Sequence, residues 1–333
     1  MLGAYYSEIT DASRAQFAPV PDAPVLVKGN PRNTNKAVFG QATYKFGDVV
    51  ELVAGIRYNK DRGWDQPTTF IAGNPLPLGP VKLAETSATT GKLGVNLYLD
   101  DDNFVYAVAS KGYRAGGTNL AGPNFGAETI HNYEAGYKAT LLDRHLRLQL
   151  SGFYNRYSDV QLSFIDPVSH LTTVQNGNAA TVKGFEAQGQ LTFGGLRAYG
   201  NLSLLDTELG AAVISDNAGN PVQVSGHRLP LAPNFVASVG AEYEFPVGDE
   251  ASLTPRVQFS HMGGQYASAI QSPADLLPAY DLLNASLTLE LKQFQIMAFV
   301  NNLTDELYLT GAEGVTNFLG ARRQYGVKAS VKF

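Results

Sequence analysis

Apolar and polar residues alternate along most of this chain, in one segment after another. Between positions 283 and 291 every second residue is apolar and the residues between are polar, and the same apolar period recurs at 294–300 and 235–245. A period of two predicts β-strands with one apolar face and one polar face. The apolar set expected to point outward is Leu283, Ala285, Leu287, Leu289, Phe294, Ile296, Ala298 and Val300, and the opposite set is Asn284, Ser286, Thr288 and Glu290.

The alternation predicts about fourteen long strands over the whole chain. Many exceed the roughly five or six residues typical of strands in globular sheets. They reach the roughly ten residues that cross a bilayer at a tilt. The predicted segments are 1–10, 36–46, 49–62, 86–99, 103–114, 128–142, 145–162, 180–193, 196–209, 234–245, 251–266, 280–291, 294–308 and 322–333.

The connections between these segments alternate in length. Short turns are expected at 47–48, 100–102, 143–144, 194–195, 246–250 and 292–293. Long loops are expected at 11–35, 63–85, 115–127, 163–179, 210–233, 267–279 and 309–321. Short turns at one edge and long loops at the other are typical of outer-membrane barrels, with the short turns periplasmic. A soluble sandwich also alternates, but nothing in its architecture sorts loops by length. The pattern therefore predicts an all-β, transmembrane antiparallel β-barrel.

Composition and charge narrow the functional classes. The formal net charge of −5 argues against a nucleic-acid partner, and the lack of Cys excludes disulfides and thiolate metal sites. The five His residues lie far apart, without the close spacing of a metal motif, so we expect no metal site and no cofactor. The first residues also lack the basic and apolar regions of a secretory signal. We therefore expect this chain to be a part of a longer one.

The last segment resembles the C-terminal signal that the barrel-insertion machinery recognises in outer-membrane proteins. It alternates strictly and ends in an aromatic residue, and its apolar face is Tyr325, Val327, Ala329, Val331 and Phe333. Such a strand presents an apolar face together with an unpaired edge that another strand can join. The resemblance implies that the insertion machinery is a partner of this chain.

Five further segments resemble one family in their order and spacing over residues 104–333. They are Ser110–Gly117, Glu128–Lys138, Gly152–Gln161, Val182–Glu186 and Val300–Tyr308. Together they resemble the TonB-dependent outer-membrane receptors. In that family a barrel of about 22 strands surrounds an N-terminal plug, which makes the contact with TonB. We recognise neither the plug nor its TonB box in these residues. The resemblance thus implies that residues 1–333 are a partial barrel domain, the C-terminal strands of the larger barrel.

The same resemblance implies a function and a location. A receptor of this family is integral to the bacterial outer membrane, contacts its lipid, and takes up a scarce nutrient with energy passed through TonB. The expected cargo is a small molecule such as a ferric siderophore, and TonB is a partner only through the plug. Two alternatives stay open. One is a passive porin-like channel of about fourteen strands. The other is a barrel enzyme, although no G-x-S-x-G element or Ser-His-Asp arrangement is found, so we expect no enzyme.

Cargo in this family contacts outer loops and lumen walls as well as the plug. The candidate ligand-binding residues at strand ends and in loops are Tyr113, Arg114, Arg228, Tyr266 and Arg322. Tyr and Arg suit anionic aromatic iron chelates, because their rings stack and the guanidinium donates paired hydrogen bonds. The adjacent acids Asp305 and Glu306 have no neighbouring base, so we expect them to have a structural role and no catalytic one.

Overall fold

The computed structural model describes most of the chain. The described residues are 1–10, 13–17, 25–65, 68–71, 74–77, 81–119, 123–165, 172–216, 218–313 and 316–332. Among them no helix is long and apolar enough to span a membrane.

One large antiparallel sheet, here called the wall, dominates the described residues. Its strands are β1 (Leu2–Thr10), β2 (Arg32–Phe46), β3 (Val50–Asp65), β4 (Val81–Tyr98), β5 (Asn103–Arg114), β6 (Glu128–Leu141), β7 (Leu146–Ser158), β8 (Ala179–Phe193), β9 (Leu196–Leu209), β10 (Phe235–Tyr243), β11 (Ala251–Met262), β12 (Tyr280–Leu291), β13 (Phe294–Asn301) and β14 (Gln324–Val331). They pair in chain order from β1 to β14, and the short strand Phe245–Pro246 adds to β11. The all-β antiparallel prediction is confirmed. A parent barrel of about 22 strands stays a prediction.

Several strand ends differ from the prediction, for local reasons. β7 ends at Ser158 and β13 at Asn301, both earlier than the alternation indicated. Asp159 has a φ of 56° and Asn302 a φ of 52°. These left-handed conformations interrupt an extended strand, and Asn and Asp adopt them more readily than most residues. By contrast, β2 and β4 extend further into the long connections than predicted, starting at Arg32 and Val81.

Short and long connections occupy opposite edges of the wall, as predicted. The short turn after β2 contains Gly47, with a φ of 60°, and the turn after β8 contains Gly194, with a φ of 56°. Glycine has no Cβ that would clash in this left-handed conformation, so one such residue in each turn allows the turn to be very short. We call the opposite edge the long-loop edge.

The structure shows further strands apart from the wall, most of them in connections that were predicted as loops, whereas Gln265–Tyr266 lies at the end of the predicted strand 251–266. These are Ser13–Phe17, Val25–Gly29, Thr68–Ile71, Asn74–Pro77, Gln161–Ile165, Thr172–Asn176, Val213–Ser215, Pro221–Gln223, Gln265–Tyr266, Leu276–Leu277, Leu309–Glu313 and Thr316–Leu319, with a 3-10 turn at Pro273–Asp275. They pair with one another in small sheets apart from the wall. Pairing satisfies their backbone N–H and C=O groups, which a long irregular segment leaves open.

The register of the wall separates an apolar face from a polar face. Leu287 lies opposite Ala298 and Pro255, whereas Ser286 lies opposite Phe299 and Arg256. On the apolar face large side chains are exposed, with Ile56 at 63% and Leu93 at 68%. A monomeric soluble protein rarely exposes a continuous apolar surface of this kind, whereas a lipid-facing surface requires one. We call this face the outer face and the polar one the inner face.

Buried apolar packing lies at the long-loop edge. The cluster consists of Val160, Leu162, Ala180, Leu209, Ile214, Val224 and Ala269. It joins the ends of β8 and β9 to the connections on either side of them. The long connections therefore form a packed assembly on top of this part of the wall.

Candidate functional site

A polar network lies on the inner face, where β2, β3 and β5 approach the long-loop edge. The Arg57 guanidinium donates from Nε to Asn59 Oδ1 at 2.6 Å and from Nη2 to Asn35 Oδ1 at 3.4 Å. The Asn35 amide donates to Asp61 Oδ1 at 2.6 Å, and the Tyr113 hydroxyl donates to the other oxygen of Asp61. Period two places Arg57, Asn59 and Asp61 on one side of β3, which explains how the strand contributes to the network. Tyr113 lies beyond the part of β5 that pairs with β4, and its side chain departs from the period of β5 to reach Asp61.

Aromatic rings complete this network. The Arg57 guanidinium carbon lies 5.2 Å from the Tyr5 ring centroid and 5.6 Å from the Phe39 ring centroid. Both distances are within the range of cation–π attraction. Strands β1, β2, β3 and β5 thus bring a cation, a carboxylate, a phenol and two aromatic rings to one region of the inner face. We call the residues Tyr5, Asn35, Phe39, Arg57, Asn59, Asp61 and Tyr113 the inner-face cluster.

The segment after Tyr113 is held in place by its backbone. Gly116 N donates to Thr86 Oγ1 at 3.1 Å, and a Cβ at Gly116 would lie 2.5 Å from the carbonyl oxygen of Phe125. Only glycine allows this close approach. The Gln161 side chain donates to the Ala115 carbonyl at 2.9 Å. The strand end that carries Tyr113 is therefore fixed against the next connection.

Arg114, the neighbour of Tyr113, has a different environment. It lies opposite Glu128 in the register of β5 and β6 and is exposed. The Glu128 carboxylate accepts a hydrogen bond from the backbone N–H of Gln161 at 2.7 Å. Within the described residues Arg114 has no ion pair, so its guanidinium is available to an anion at the long-loop edge.

Arg228 and Tyr266 lie together in the loop assembly, away from the inner-face cluster. Arg228 donates from Nη2 to the carbonyl of Ala232 at 3.0 Å, and its own carbonyl accepts from Gln271 Nε2 at 3.0 Å. The Tyr266 carbonyl accepts from Leu231 N at 2.8 Å. Both residues thus fix two long connections to each other.

A pocket of about 550 Å³ lies beside these residues, lined among others by Phe164, Phe318, Asp216 and Asp275. Its carboxylates already have local partners. Asp216 accepts from the backbone N–H groups of Ala218 and Asn220 at 2.9 and 2.8 Å, and the Asn220 side chain lowers its pKa. Asp275 accepts from Ser268 Oγ at 2.8 Å. The acids hold the loops together, and no group of three or more potential metal ligands occurs in the described part of the chain.

Arg322 lies at a third place, in an ion pair with Asp305. Its Nη2 is 2.6 Å from Asp305 Oδ2 and its Nε is 3.1 Å from Oδ1. Asp305 Oδ1 also accepts from the backbone N–H of Arg323 at 3.0 Å. The hydrogen bond from Arg322 lowers the pKa of Asp305. This geometry agrees with a structural role for Asp305, and it occupies one carboxylate-binding edge of the Arg322 guanidinium.

Asn302 organises the same region, although it was not among the candidate residues chosen from the sequence. The side chain is buried, with 4% exposure. Its Nδ2 donates to the carbonyls of Glu306 and Ala321 at 2.9 and 3.1 Å, and its Oδ1 accepts from Glu306 N at 2.8 Å. The resemblance of Val300–Tyr308 to a family motif was the available signal. The structure shows that this motif is a hydrogen-bonded turn.

The five candidate ligand-binding residues therefore do not converge. Tyr113 belongs to the inner-face cluster with Arg114 beside it, Arg228 and Tyr266 lie in the loop assembly, and Arg322 lies near the start of β14. The members of the inner-face cluster other than Tyr113 were missed, since they come from different strands and no local motif joins them.

The strand predicted as an insertion signal is β14. Tyr325, Val327 and Ala329 lie on the outer face opposite Val300, Ala298 and Ile296, and Val331 lies opposite Phe294. Val327 is 72% exposed. Phe333 lies outside the described residues. The apolar alternation of this strand is present, and recognition by the insertion machinery stays a prediction.

Known proteins resemble most of this chain. The family described as TonB dependent receptor-like, beta-barrel matches residues 1–303. The pesticin receptor of Yersinia pestis is 26% identical over 284 residues, covering 82% of this chain and 39% of the receptor. The metal-pseudopaline receptor CntO of Pseudomonas aeruginosa is 31% identical over 286 residues, covering 80% of this chain and 36% of that receptor.

Solved structures share the fold. The ferric yersiniabactin uptake receptor FyuA from Yersinia pestis superposes with a TM-score of 0.82 at 22% identity, covering 100% of this chain and 51% of that one. The siderophore receptor PiuA from Acinetobacter baumannii superposes with a TM-score of 0.69 at 18% identity, covering 92% of this chain and 43% of that one. This chain spans between about a third and a half of the length of these relatives. By the match of residues 1–303 to the family's β-barrel, the chain belongs to the TonB-dependent receptors.

Proposed function

We propose that this chain forms wall strands of an outer-membrane receptor that takes up a metal ion bound to a small organic chelator, foremost a ferric siderophore. The inner-face cluster is the observation that carries this proposal. It places the Arg57 guanidinium and the Tyr113 hydroxyl on the polar side of a wall whose other side is apolar. A cargo that enters from the long-loop edge would meet this cluster inside the wall.

The chemistry of the cluster suits such cargo. Siderophores bind iron through oxygen-rich and often aromatic groups, and their complexes are commonly anionic. Arg57 can attract an anion while Tyr5 and Phe39 offer flat apolar surfaces for stacking. Arg114 adds a second cation at the long-loop edge, where electrostatic attraction would act first on an approaching anion. Binding and passage need no covalent chemistry, so the protein is proposed to be a transporter and not an enzyme.

The named relatives support this class of cargo. One is a receptor for metal-pseudopaline, and a solved neighbour is a receptor for ferric yersiniabactin. Both names describe a metal with a small chelator. The proposed partners follow from the same family: lipid of the outer membrane, the insertion machinery through β14, and TonB through a plug outside this chain.

The test is uptake of labelled metal chelates by cells whose only receptor contains this wall. The variant Arg57→Gln removes the cation of the inner-face cluster. Lys138→Gln is a matched control, because Lys138 is also an inner-face cation over aromatic rings, at 5.5 Å from the Tyr106 centroid, but lies toward the short-turn edge. We expect Arg57→Gln to weaken cargo binding about tenfold, as loss of one charged contact does.

Two results would contradict the proposal. Equal uptake by the Arg57→Gln and Lys138→Gln variants would show that the inner-face cluster does not bind the cargo. Unselective uptake that persists without TonB would point to the passive channel. That alternative needs a closed barrel, and within the described residues no backbone pairing joins β1 to β14.

A further inference from the structure

Three basic side chains lie in a row on the outer face of the wall, toward the long-loop edge. His131 of β6 lies directly opposite Lys111 of β5 and Arg156 of β7. Directly opposed side chains on neighbouring antiparallel strands have Cβ atoms about 5 Å apart. All three follow the outer-face period, two positions beyond Ala109, Tyr133 and Tyr154. We call Lys111, His131 and Arg156 the basic row.

The basic row differs from outer-face cations such as Lys60 and Lys183 because it lacks acidic partners in the described part of the chain. Lys60 Nζ lies 3.4 Å from Glu85, and Lys183 Nζ lies 3.0 Å from Asp206. Within the described residues none of the three basic-row side chains has an ion pair. The next acid in the same row, Glu208, lies two strands beyond Arg156. Lys111 and Arg156 carry positive charge and lie on either side of His131, whose ring can donate a hydrogen bond to an anion between them. The row therefore favours an anion from outside the chain.

An apolar groove begins at the basic row. A cavity of about 900 Å³ has Lys111 and His131 in its lining together with Leu93, Ala109 and Tyr133. Its lining is mostly apolar, although three basic residues, Lys92, Lys111 and His131, border it. The charged end and the apolar floor belong to one continuous depression of the outer face.

The groove continues toward the short-turn edge. A second cavity of about 800 Å³ shares Leu93, Ala109 and Tyr133 with the first and adds Ala107 and Tyr154. Small side chains form its floor, and tyrosine rings stand at its side. Tyrosine rings with one polar end favour the boundary between lipid and water. From the long-loop edge toward the short-turn edge, the outer face thus presents the basic row, then tyrosine rings, and then the apolar groove.

We propose that the basic row and this groove bind one anionic lipid, with its phosphate-bearing headgroup on Lys111, His131 and Arg156 and an acyl chain in the groove. Arginine donates paired hydrogen bonds to phosphate, and lysine supplies a compact charge beside it. A phosphate group would place negative charge between the two cations of the row. The lipid site rests on the proposed function, which places the wall in the outer membrane, where the leaflet at the long-loop edge carries phosphorylated lipid.

A lipid fits this surface better than a free anion does. A free phosphate would need only the cations and would leave the groove without an occupant. The groove lies on the face that lipid covers, so an acyl chain reaches it without leaving the bilayer. Because the basic row and the groove are continuous, they fit a ligand that has both an anionic headgroup and an acyl chain.

Native mass spectrometry of the full chain in detergent micelles tests the proposal. The probe is a bisphosphorylated, multiply acylated glucosamine disaccharide lipid, compared with its dephosphorylated form. The triple variant Lys111→Gln, His131→Gln and Arg156→Gln is expected to bind the phosphorylated lipid at least about tenfold more weakly than the unmodified chain. The matched control is Arg32→Gln, Lys60→Gln and Lys183→Gln, which removes acid-paired cations and should bind normally.

Further arms separate the sources of phosphate. Inorganic phosphate at millimolar concentration should not displace the lipid. The variant Ala109→Trp, which fills the groove, should weaken lipid binding and leave cargo uptake unchanged. Equal binding of both lipid forms would overturn the proposal, and so would an unchanged triple variant. If the triple variant does not fold, judged by its mobility on unheated SDS gels, the comparison of the two lipid forms on the unmodified chain decides. Cargo uptake should be normal in the triple variant, so failure here is distinguishable from failure of the proposed function.

Discussion

Replacing Asn302 should destabilise the long-loop edge near β14 far more than replacing an exposed residue beside it does. The side chain makes three hydrogen bonds, two to carbonyls and one from a backbone N–H. It is buried and its φ is 52°, a conformation that Asn tolerates better than Ala does. The variant Asn302→Ala therefore loses these bonds and also adds backbone strain.

The expected size follows from these contacts. Three hydrogen bonds at about 1 kcal/mol each, plus about 1 kcal/mol for the backbone, give a loss of about 4 kcal/mol. Asn302→Asp keeps the acceptor for Glu306 N but sets a carboxylate oxygen against the carbonyl oxygens of Glu306 and Ala321 in a buried site, so its loss should be at least as large. Asn301→Ala is the matched control. Asn301 is the adjacent residue of the same type and is exposed, without a side-chain hydrogen bond in the described region.

The measurement is urea unfolding of the refolded chain in detergent micelles, followed by its mobility on unheated SDS gels. The midpoints for Asn302→Ala and Asn302→Asp should both lie well below that of Asn301→Ala. Protease should also cut the region between β13 and β14 first in Asn302→Ala. If the Asn302→Ala and Asn301→Ala midpoints coincide, the hydrogen-bonded turn does not contribute to stability and the reasoning is refuted.

Three further perturbations probe the wall and its edges. Leu287→Arg should cost about 2–4 kcal/mol near the bilayer midplane, measured by folding into lipid vesicles, while an arginine on the inner face should be tolerated; equal costs would refute the assignment of faces. An epitope in the connection 210–233 should be labelled on intact cells and one at Gly194 should not; labelling at Gly194 would reverse the topology. The ion pair of Arg322 with Asp305 stabilises the fold above the ordinary carboxylate pKa of about 4 and loses this effect as pH falls through the lowered folded value. The unfolding midpoints of the unmodified chain and Arg322→Gln should converge in acid, and a constant difference would contradict this.

The wall was predictable from the sequence because a strand pair is encoded locally. Period two assigns each residue to a face, and a short turn assigns each strand to its neighbour, so the alternation alone places Leu287 and Ser286 on opposite faces. Strand ends were less predictable. Asp159 and Asn302 end their strands through left-handed backbone conformations, which most other Asp and Asn residues in the described ranges do not adopt.

The candidate site was predictable only in part, for a related reason. Tyr113 could be selected because it ends a strand, but its partner Asp61 lies 52 residues away in sequence. Arg322 was selected as a cation at a strand end, and its pairing with Asp305 depends on the turn that Asn302 forms. Such pairings arise from the order and register of several strands, and no local pattern encodes them.

In this fold, stability depends mainly on the main chain and the outer face, whereas the proposed binding residues lie on the inner face. Backbone pairing and lipid contact stabilise the wall through the main chain and the outer face, so inner-face side chains are not part of a packed core. Arg57 is held mainly by Asn59 and by aromatic rings, and its replacement opens no cavity in an apolar interior. Variants of the inner-face cluster should therefore insert and fold as the unmodified chain does. Under the proposed function, cargo preference can therefore change at these positions while the barrel is kept. A loss of uptake in Arg57→Gln is then interpretable as a loss of binding.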